Sequence, residues 1–208
     1  RLPLPTVIAL FRAIVAPMAA AHARNIVHRD LKPDNVFLVR KGNAESVKIL
    51  DFGIAREMDT EQSATKTGTS MGTPHYMAPE QAMSARGVNA AADVWSLGAM
   101  LYEAISGEPP FEGETTSAII VYACTRPHRP LLEVAPSTPK SLAELVDKCL
   151  AKEPQNRPKD AGALAAALDA IDIEMGLGLA PTGAMPAVTV EAVRMHAPSH
   201  PTPQPGPV

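Results

Sequence analysis

The chain has 208 residues, 46% of them hydrophobic and 20% charged, with a formal net charge of −3. That length supports one domain with a proper core, and the charge sets aside a strongly basic nucleic-acid binder. Two cysteines exclude a disulfide scaffold and fit a reducing, cytoplasmic setting.

Residue 1 is Arg rather than Met, no signal peptide follows, and no apolar run approaches the roughly 18 residues of a membrane span. No membrane segment is therefore expected in this chain, and the chain is expected to be a piece of something longer. The first element is a helix over about Thr6–Ala23. Val7, Leu10, Phe11, Ile14, Val15 and Met18 recur on one face. Pro17 lies inside this pattern and should kink the helix or shift its register. Val36–Val39 and Val47–Leu50 read as the two strands of a hairpin joined by the polar turn Arg40–Ser46. Residues 54–75 are polar, rich in Thr and Ser, and without period, which marks a long loop of the kind that is functional or disordered.

A helix over about Ala92–Ser106 is apolar around most of its circumference, so it should be central and buried, with Gly107 as its stop. Thr116–Cys124 suggests a short helix. Lys140–Lys152 and Lys159–Ile173 carry apolar residues at helical steps. From 174 to 208 the chain holds seven prolines and few charges, which reads as a flexible tail or linker. The expected class is mainly α with a small β-hairpin, in one domain of 1–173 followed by the tail 174–208.

The chemistry concentrates in His28-Arg29-Asp30-Leu31-Lys32-Pro33-Asp34-Asn35 and in Asp51-Phe52-Gly53. A hairpin returns its two ends to one place, so Asn35 and Asp51 should be neighbours. A carboxylate beside an amide suits a hard divalent cation such as Mg²⁺. Asp30 is a candidate base, and Lys32, two residues on, could hold a phosphate as a point charge. Base, cation ligands and phosphate clamp are the parts of phosphoryl transfer. Taken singly, each of these residues also suits a solvated acidic turn.

His28–Asn35, Asp51–Gly53 and Ala78-Pro79-Glu80 resemble, in order, the catalytic loop, metal-binding triplet and activation-segment end of the protein kinase family. Asp93–Gly98 is similar to that family's central helix, and Arg157 to its late arginine. The resemblance covers about residues 5–173 and points to a bacterial eukaryotic-like serine/threonine kinase. It implies that Asp30 is the catalytic base and that Lys32 neutralises the transferring phosphoryl. It implies that Asn35 and Asp51 hold Mg²⁺, that Phe37 lies under the adenine of ATP, and that Thr73 bonds Asp30 and Lys32 near the substrate. Glu80 and Arg157 would form a buried ion pair, Asp93 would anchor the catalytic-loop backbone, and His28 and Phe52 would pack in an apolar stack. Arg29 and Arg56 would bind a phosphorylated activation-loop residue, with Thr65 and Thr67 as candidate sites. Implied partners are protein substrates bearing Ser or Thr and a kinase dimer for trans-phosphorylation. The full-length protein could be membrane-anchored beyond residue 208.

The complete family fold is α+β and has two lobes. No G-x-G-x-x-G precedes the first helix, and the strand lysine and helix glutamate that accompany it are absent from the sequence. The resemblance therefore implies a carboxy-terminal lobe only, incomplete for activity alone. The alternative expectation is a stand-alone binding or regulatory module without turnover. Cys124 and Cys149 read as core thiols, and Pro198 argues against a helical metal pair of His196 and His200.

Overall fold

A computed structural model describes residues 2–41, 44–52, 74–83 and 87–178. The expected tail lies outside the described residues from 179 onward. Seven α-helices and one hairpin are present among the described residues. They are α1 (Leu4–His22), β1 (Val36–Lys41), β2 (Ala44–Ile49), α2 (Pro79–Met83), α3 (Ala90–Ser106), α4 (Thr116–Thr125), α5 (Leu131–Val134), α6 (Lys140–Cys149) and α7 (Ala161–Glu174). Short 3₁₀ turns occupy Pro33–Asn35, Pro74–Tyr76 and Pro154–Asn156.

The centre is α3. Every residue from Ala91 to Tyr102 is buried, including Asp93 and Ser96. Its ends are set locally. Asn89 Oδ1 accepts from Ala91 N at 2.9 Å, and Gly107 ends the helix in the left-handed conformation with φ 85°. The helix therefore begins two residues before the expected Ala92, because its cap is Asn89. Trp95, fully buried, stacks on Phe111 with ring centroids 5.7 Å apart. Lys152 Nζ lies 4.1 Å from the Phe111 centroid, and the Arg157 guanidinium lies 4.9 Å from that of Trp95. Burial lowers the Lys152 pKa to about 8, with the Arg157 charge acting in the same direction.

α1 packs most extensively on α7 and also meets α3 and β2. Arg12 fastens it to α7, with Nε 2.7 Å from Asp169 Oδ1 and Nη1 2.9 Å from Asp172 Oδ2. The helix runs unbroken through Pro17. It is also long and apolar enough, by length and composition, to cross a membrane, which corrects the expectation of no such stretch. A core helix of the same length has the same character, and Val7, Ile8, Val15 and Met18 are fully buried here.

The strands pair antiparallel from Val36↔Ile49 to Lys41↔Ala44, so they extend beyond the expected Val39 and Val47. Backbone pairing continues through Arg40 whatever the polarity of its exposed side chain. α6 stops at Cys149 rather than Lys152, since Leu150 leaves the helix with ψ 15° and Pro154 has no N–H to give the Leu150 carbonyl. Beyond the helix end the Arg157 side chain takes the carbonyls of Ala151 and Lys152 at 2.7 and 2.8 Å. α7 starts at Ala161 because Asp160 caps it, accepting from Ala163 N at 2.8 Å. The short helices α2 and α5 carry too few residues to show a period, and sequence reading passes over them.

α3 and α6 meet at Gly98, where an added Cβ would collide with the Cβ of Cys149. Burial raises the Cys149 thiol to about 12, as expected of a packing residue. In an exposed helix Gly→Ala gains about 1 kcal/mol. Here overpacking reverses the sign: Gly98→Ala should lower unfolding free energy by about 1–3 kcal/mol in denaturant titration. An unchanged midpoint would contradict this close approach.

Candidate active site

The loop between α1 and the hairpin carries Asp30, and its shape is held from α3. Asp93, 1% exposed, sits one turn into α3 with its carboxylate toward the loop. Its Oδ2 accepts from His28 N at 2.7 Å, and its Oδ1 accepts from Arg29 N at 2.8 Å. Arg29 has φ 65°, the left-handed region that non-glycine residues avoid. Such a conformation costs about 1–2 kcal/mol. A hydrogen bond to a charged group contributes about 1.5–3 kcal/mol. Two of them therefore outweigh the strain.

The carbonyl side of Arg29 is held as well. Gln81 on α2 donates its Nε2 to Arg29 O at 2.7 Å, while its Oε1 accepts from Ala78 N at 3.1 Å. α2 is fixed in turn by Glu80, whose carboxylate meets Arg157 Nη1 and Nη2 at 2.7 and 2.9 Å. The Arg157 side chain is fully buried and donates to Ala91 O, Ala151 O and Lys152 O besides. The guanidinium fork thus joins α2, the start of α3 and the chain after α6.

Beyond the strained residue, Asp30 and Lys32 form a close pair, with Lys32 Nζ 3.1 Å from Asp30 Oδ2. Both side chains are partly open to solvent. Asn35 is buried and donates its Nδ2 to Asp30 O at 2.7 Å, which leaves Oδ1 as its acceptor end. His28 closes the loop on the hairpin. Its Nδ1 accepts from Asp30 N at 3.3 Å, so the proton sits on Nε2, which donates to Leu50 O at 2.9 Å. The His28 and Phe52 rings lie 4.7 Å apart. Leu50 N donates to Asn35 O at 2.9 Å, so the ends of the hairpin meet, with Asp51 next in the chain. Asp51 is exposed and also left-handed, with φ 56°.

Asn35 and Asp51 are oxygen donors suited to a hard cation. Among the described residues no group of three or more His, Cys, Asp or Glu is placed to hold a metal. A two-donor set of this kind fits Mg²⁺, which keeps several waters and takes phosphate oxygens beside one or two protein ligands. Phe37 on β1 is 48% exposed. Thr73, Arg56, Thr65 and Thr67 lie outside the described residues.

The segment after residue 73 is pinned to the helical core. Ser96 Oγ donates to Tyr76 O at 2.7 Å, His75 Nδ1 donates to Phe111 O at 2.9 Å, and Tyr76 donates its hydroxyl to Glu103 at 2.6 Å. Burial, reinforced by Glu103, raises the Tyr76 pKa far above its ordinary value. Gln81 and His22, the latter also bonded to Asp93, escape sequence reading. Gln81 adjoins Glu80 in the sequence, and His22 precedes His28 by six positions on the buried face of α1, but neither lies in a chemical motif.

Residues 3–168 match the family model described as protein kinase domain. The chain is 45% identical over 152 residues to serine/threonine-protein kinase Pkn1 of Myxococcus xanthus, covering 73% of this chain and 22% of that protein. It is 40% identical over 151 residues to serine/threonine-protein kinase PknA of Mycobacterium tuberculosis, covering 73% of this chain and 33% of that protein. It is 42% identical over 177 residues to serine/threonine-protein kinase PknB of Mycolicibacterium smegmatis, covering 84% of this chain and 26% of that protein. The chain thus spans about a fifth to a third of the length of the curated relatives it matches.

Arg157→Ala should destabilise the fold by roughly 3–5 kcal/mol in denaturant titration, since it strands the Glu80 carboxylate and the carbonyls of Ala91, Ala151 and Lys152. A loss below about 1 kcal/mol, the range of a surface pair, would show that the pair does not hold α2.

Proposed function

The chain belongs to the protein kinase family, and from that premise we propose that it carries the catalytic loop of a serine/threonine protein kinase. The reaction moves the γ-phosphoryl group of ATP to Ser and Thr hydroxyls of protein substrates. The observation that supports this most is the pairing of Lys32 Nζ with Asp30 Oδ2 at 3.1 Å, on a loop clamped at Arg29 N and Arg29 O. Asp30 accepts the hydroxyl proton as the substrate oxygen bonds to the γ-phosphorus and the bond to the β–γ bridging oxygen breaks. Lys32 offsets the charge on the group in transfer. Asn35, through Oδ1, and Asp51 would hold Mg²⁺, which would neutralise phosphate charge. Phe37 offers an apolar platform to the adenine.

In this reading the chain is the carboxy-terminal lobe of the kinase fold, residues 1–173, followed by a linker over 174–208. The exposed apolar side chains of Ile26, Phe37 and Leu50 support a second lobe seated over the hairpin. That lobe supplies the glycine-rich phosphate loop that this sequence does not contain. The family resemblance assigns Thr73 to the neighbourhood of the Asp30–Lys32 pair, and Arg29 and Arg56 to the binding of phosphate on Thr65 or Thr67. Transfer between two kinase copies places that phosphate.

The test is radiolabelled phosphoryl transfer by the full-length protein that carries this chain. Asp30→Asn should lower kcat by about 10²–10⁴-fold with the circular dichroism spectrum unchanged. The 208-residue chain alone should transfer only weakly. Transfer that survives Asp30→Asn would overturn the assignment of the base.

A further inference from the structure

Just past the end of α6 lies Lys152, a half-buried lysine that phosphoryl transfer itself does not use. Its carbonyl is held by Arg157 Nη2 at 2.8 Å, so the side chain projects from a fixed point. The ammonium lies over the Phe111 ring, 4.1 Å from the centroid, and 5.0 Å from the centroid of Trp95. Those two rings are stacked, with their planes within 4° of parallel. Burial brings the amine down to about 8, which still leaves it charged at pH 7. A cation over an aromatic face is held most firmly where water is scarce.

The same ammonium donates to the carbonyl of Ala123, in the last turn of α4. Within the helix that carbonyl would accept from the N–H four residues on, but the residue there is Pro127, which has none. Ala123 is 4% exposed, so water is a poor substitute. Lys152 therefore caps α4 from outside the helix while it covers the Phe111 ring.

Phe111 carries the effect onward. Its carbonyl accepts from His75 Nδ1 at 2.9 Å, and since a carbonyl can only accept, the proton of the neutral ring is on Nδ1. His75 lies in the 3₁₀ turn Pro74–Tyr76. That turn borders the catalytic loop, because the charge of Asp34, two residues past Lys32, reaches the Tyr76 hydroxyl. A protein that brings a hydroxyl to Asp30 passes beside this turn. Where the Phe111 ring rests thus sets where its carbonyl points, and the carbonyl sets His75.

We propose that Lys152 is a positioning residue for the protein substrate, holding the Phe111 ring against Trp95 and the end of α4 so that the Phe111 carbonyl fixes His75 and the turn beside Asp30. It touches no reacting atom. The catalytic half of the inference rests on the kinase reading above, and the structural half rests on the His75 ring alone.

Lys152→Met and Lys152→Arg in the full-length protein test it, with dephosphorylated casein as the acceptor. Met keeps a long apolar stem over the rings but has neither charge nor N–H, whereas Arg keeps both. Lys152→Met should raise KM for casein by about three- to tenfold, with kcat and KM for ATP within about twofold of wild type. General damage to the fold would lower kcat as well. Lys152→Arg should restore most of the casein KM. Nitrogen-15 spectra of the histidine-labelled protein read the turn directly. In the wild type the His75 proton should sit on Nδ1, and in Lys152→Met the ring should move toward a mixture of both tautomers. A wild-type casein KM or an unchanged His75 ring in the Met variant would overturn the proposal, and so would an Arg variant as impaired as Met. Should Asp30→Asn retain transfer, the kinase reading fails, and the His75 spectrum alone decides the role of Lys152.

Discussion

A buried carboxylate grips two consecutive amides, and the candidate site takes its shape from that grip. Asp93 bonds His28 N and Arg29 N at 2.7 and 2.8 Å, and Arg29 is forced to a φ of 65°. Without the carboxylate, only the Gln81 bond to its carbonyl would oppose the return of Arg29 to the ordinary backbone regions. With it, the chain reverses sharply. Asp30 then faces Lys32, and its carbonyl reaches the Asn35 amide. Strain in one residue is held by charge-assisted hydrogen bonds to a residue far away in sequence.

That grip needs a rigid base. α3 supplies it by being buried on all sides, and it accepts close neighbours because Gly98 lets α6 approach. The Glu80–Arg157 pair fixes α2, and α2 carries the Gln81 that holds the carbonyl of Arg29. One residue is thus clamped from two helices, α3 at its amide and α2 at its carbonyl. Arg157 braces both helices, since it bonds Ala91 O as well as Glu80. The hairpin then hangs from the loop through His28, Asn35 and the backbone of Leu50.

Sequence pattern reaches some of this and stops at identifiable places. Helical period marks α1, α3, α6 and α7, since each has an apolar face or core long enough to repeat. Motif spacing marks Asp30, Lys32, Asn35 and Asp93, and the structure brings these to one loop. The end of α6 falls three residues short of the expected Lys152, because the apolar period takes no account of Pro154, whose missing N–H breaks the pattern early. His22 is illegible because a periodic pattern counts apolar positions and ignores a polar residue on the same face. Its partners, Asp93 and the Ala161 amide, meet only in the fold. Gln81 is missed because α2 is too short to show a period and its partner, the Arg29 carbonyl, is met only in the fold.

The central claim is that the Asp93 carboxylate is the grip that keeps Arg29 in the left-handed region, the Gln81 bond to the Arg29 carbonyl being insufficient without it. A crystal structure of the Asp93→Asn protein tests it most directly, because the substitution keeps the side-chain shape and replaces one accepting oxygen with a donor. The account predicts that Arg29 leaves φ 65° for a negative value and that the 3.1 Å contact between Lys32 and Asp30 is lost. An unchanged Arg29 conformation in that structure would contradict it.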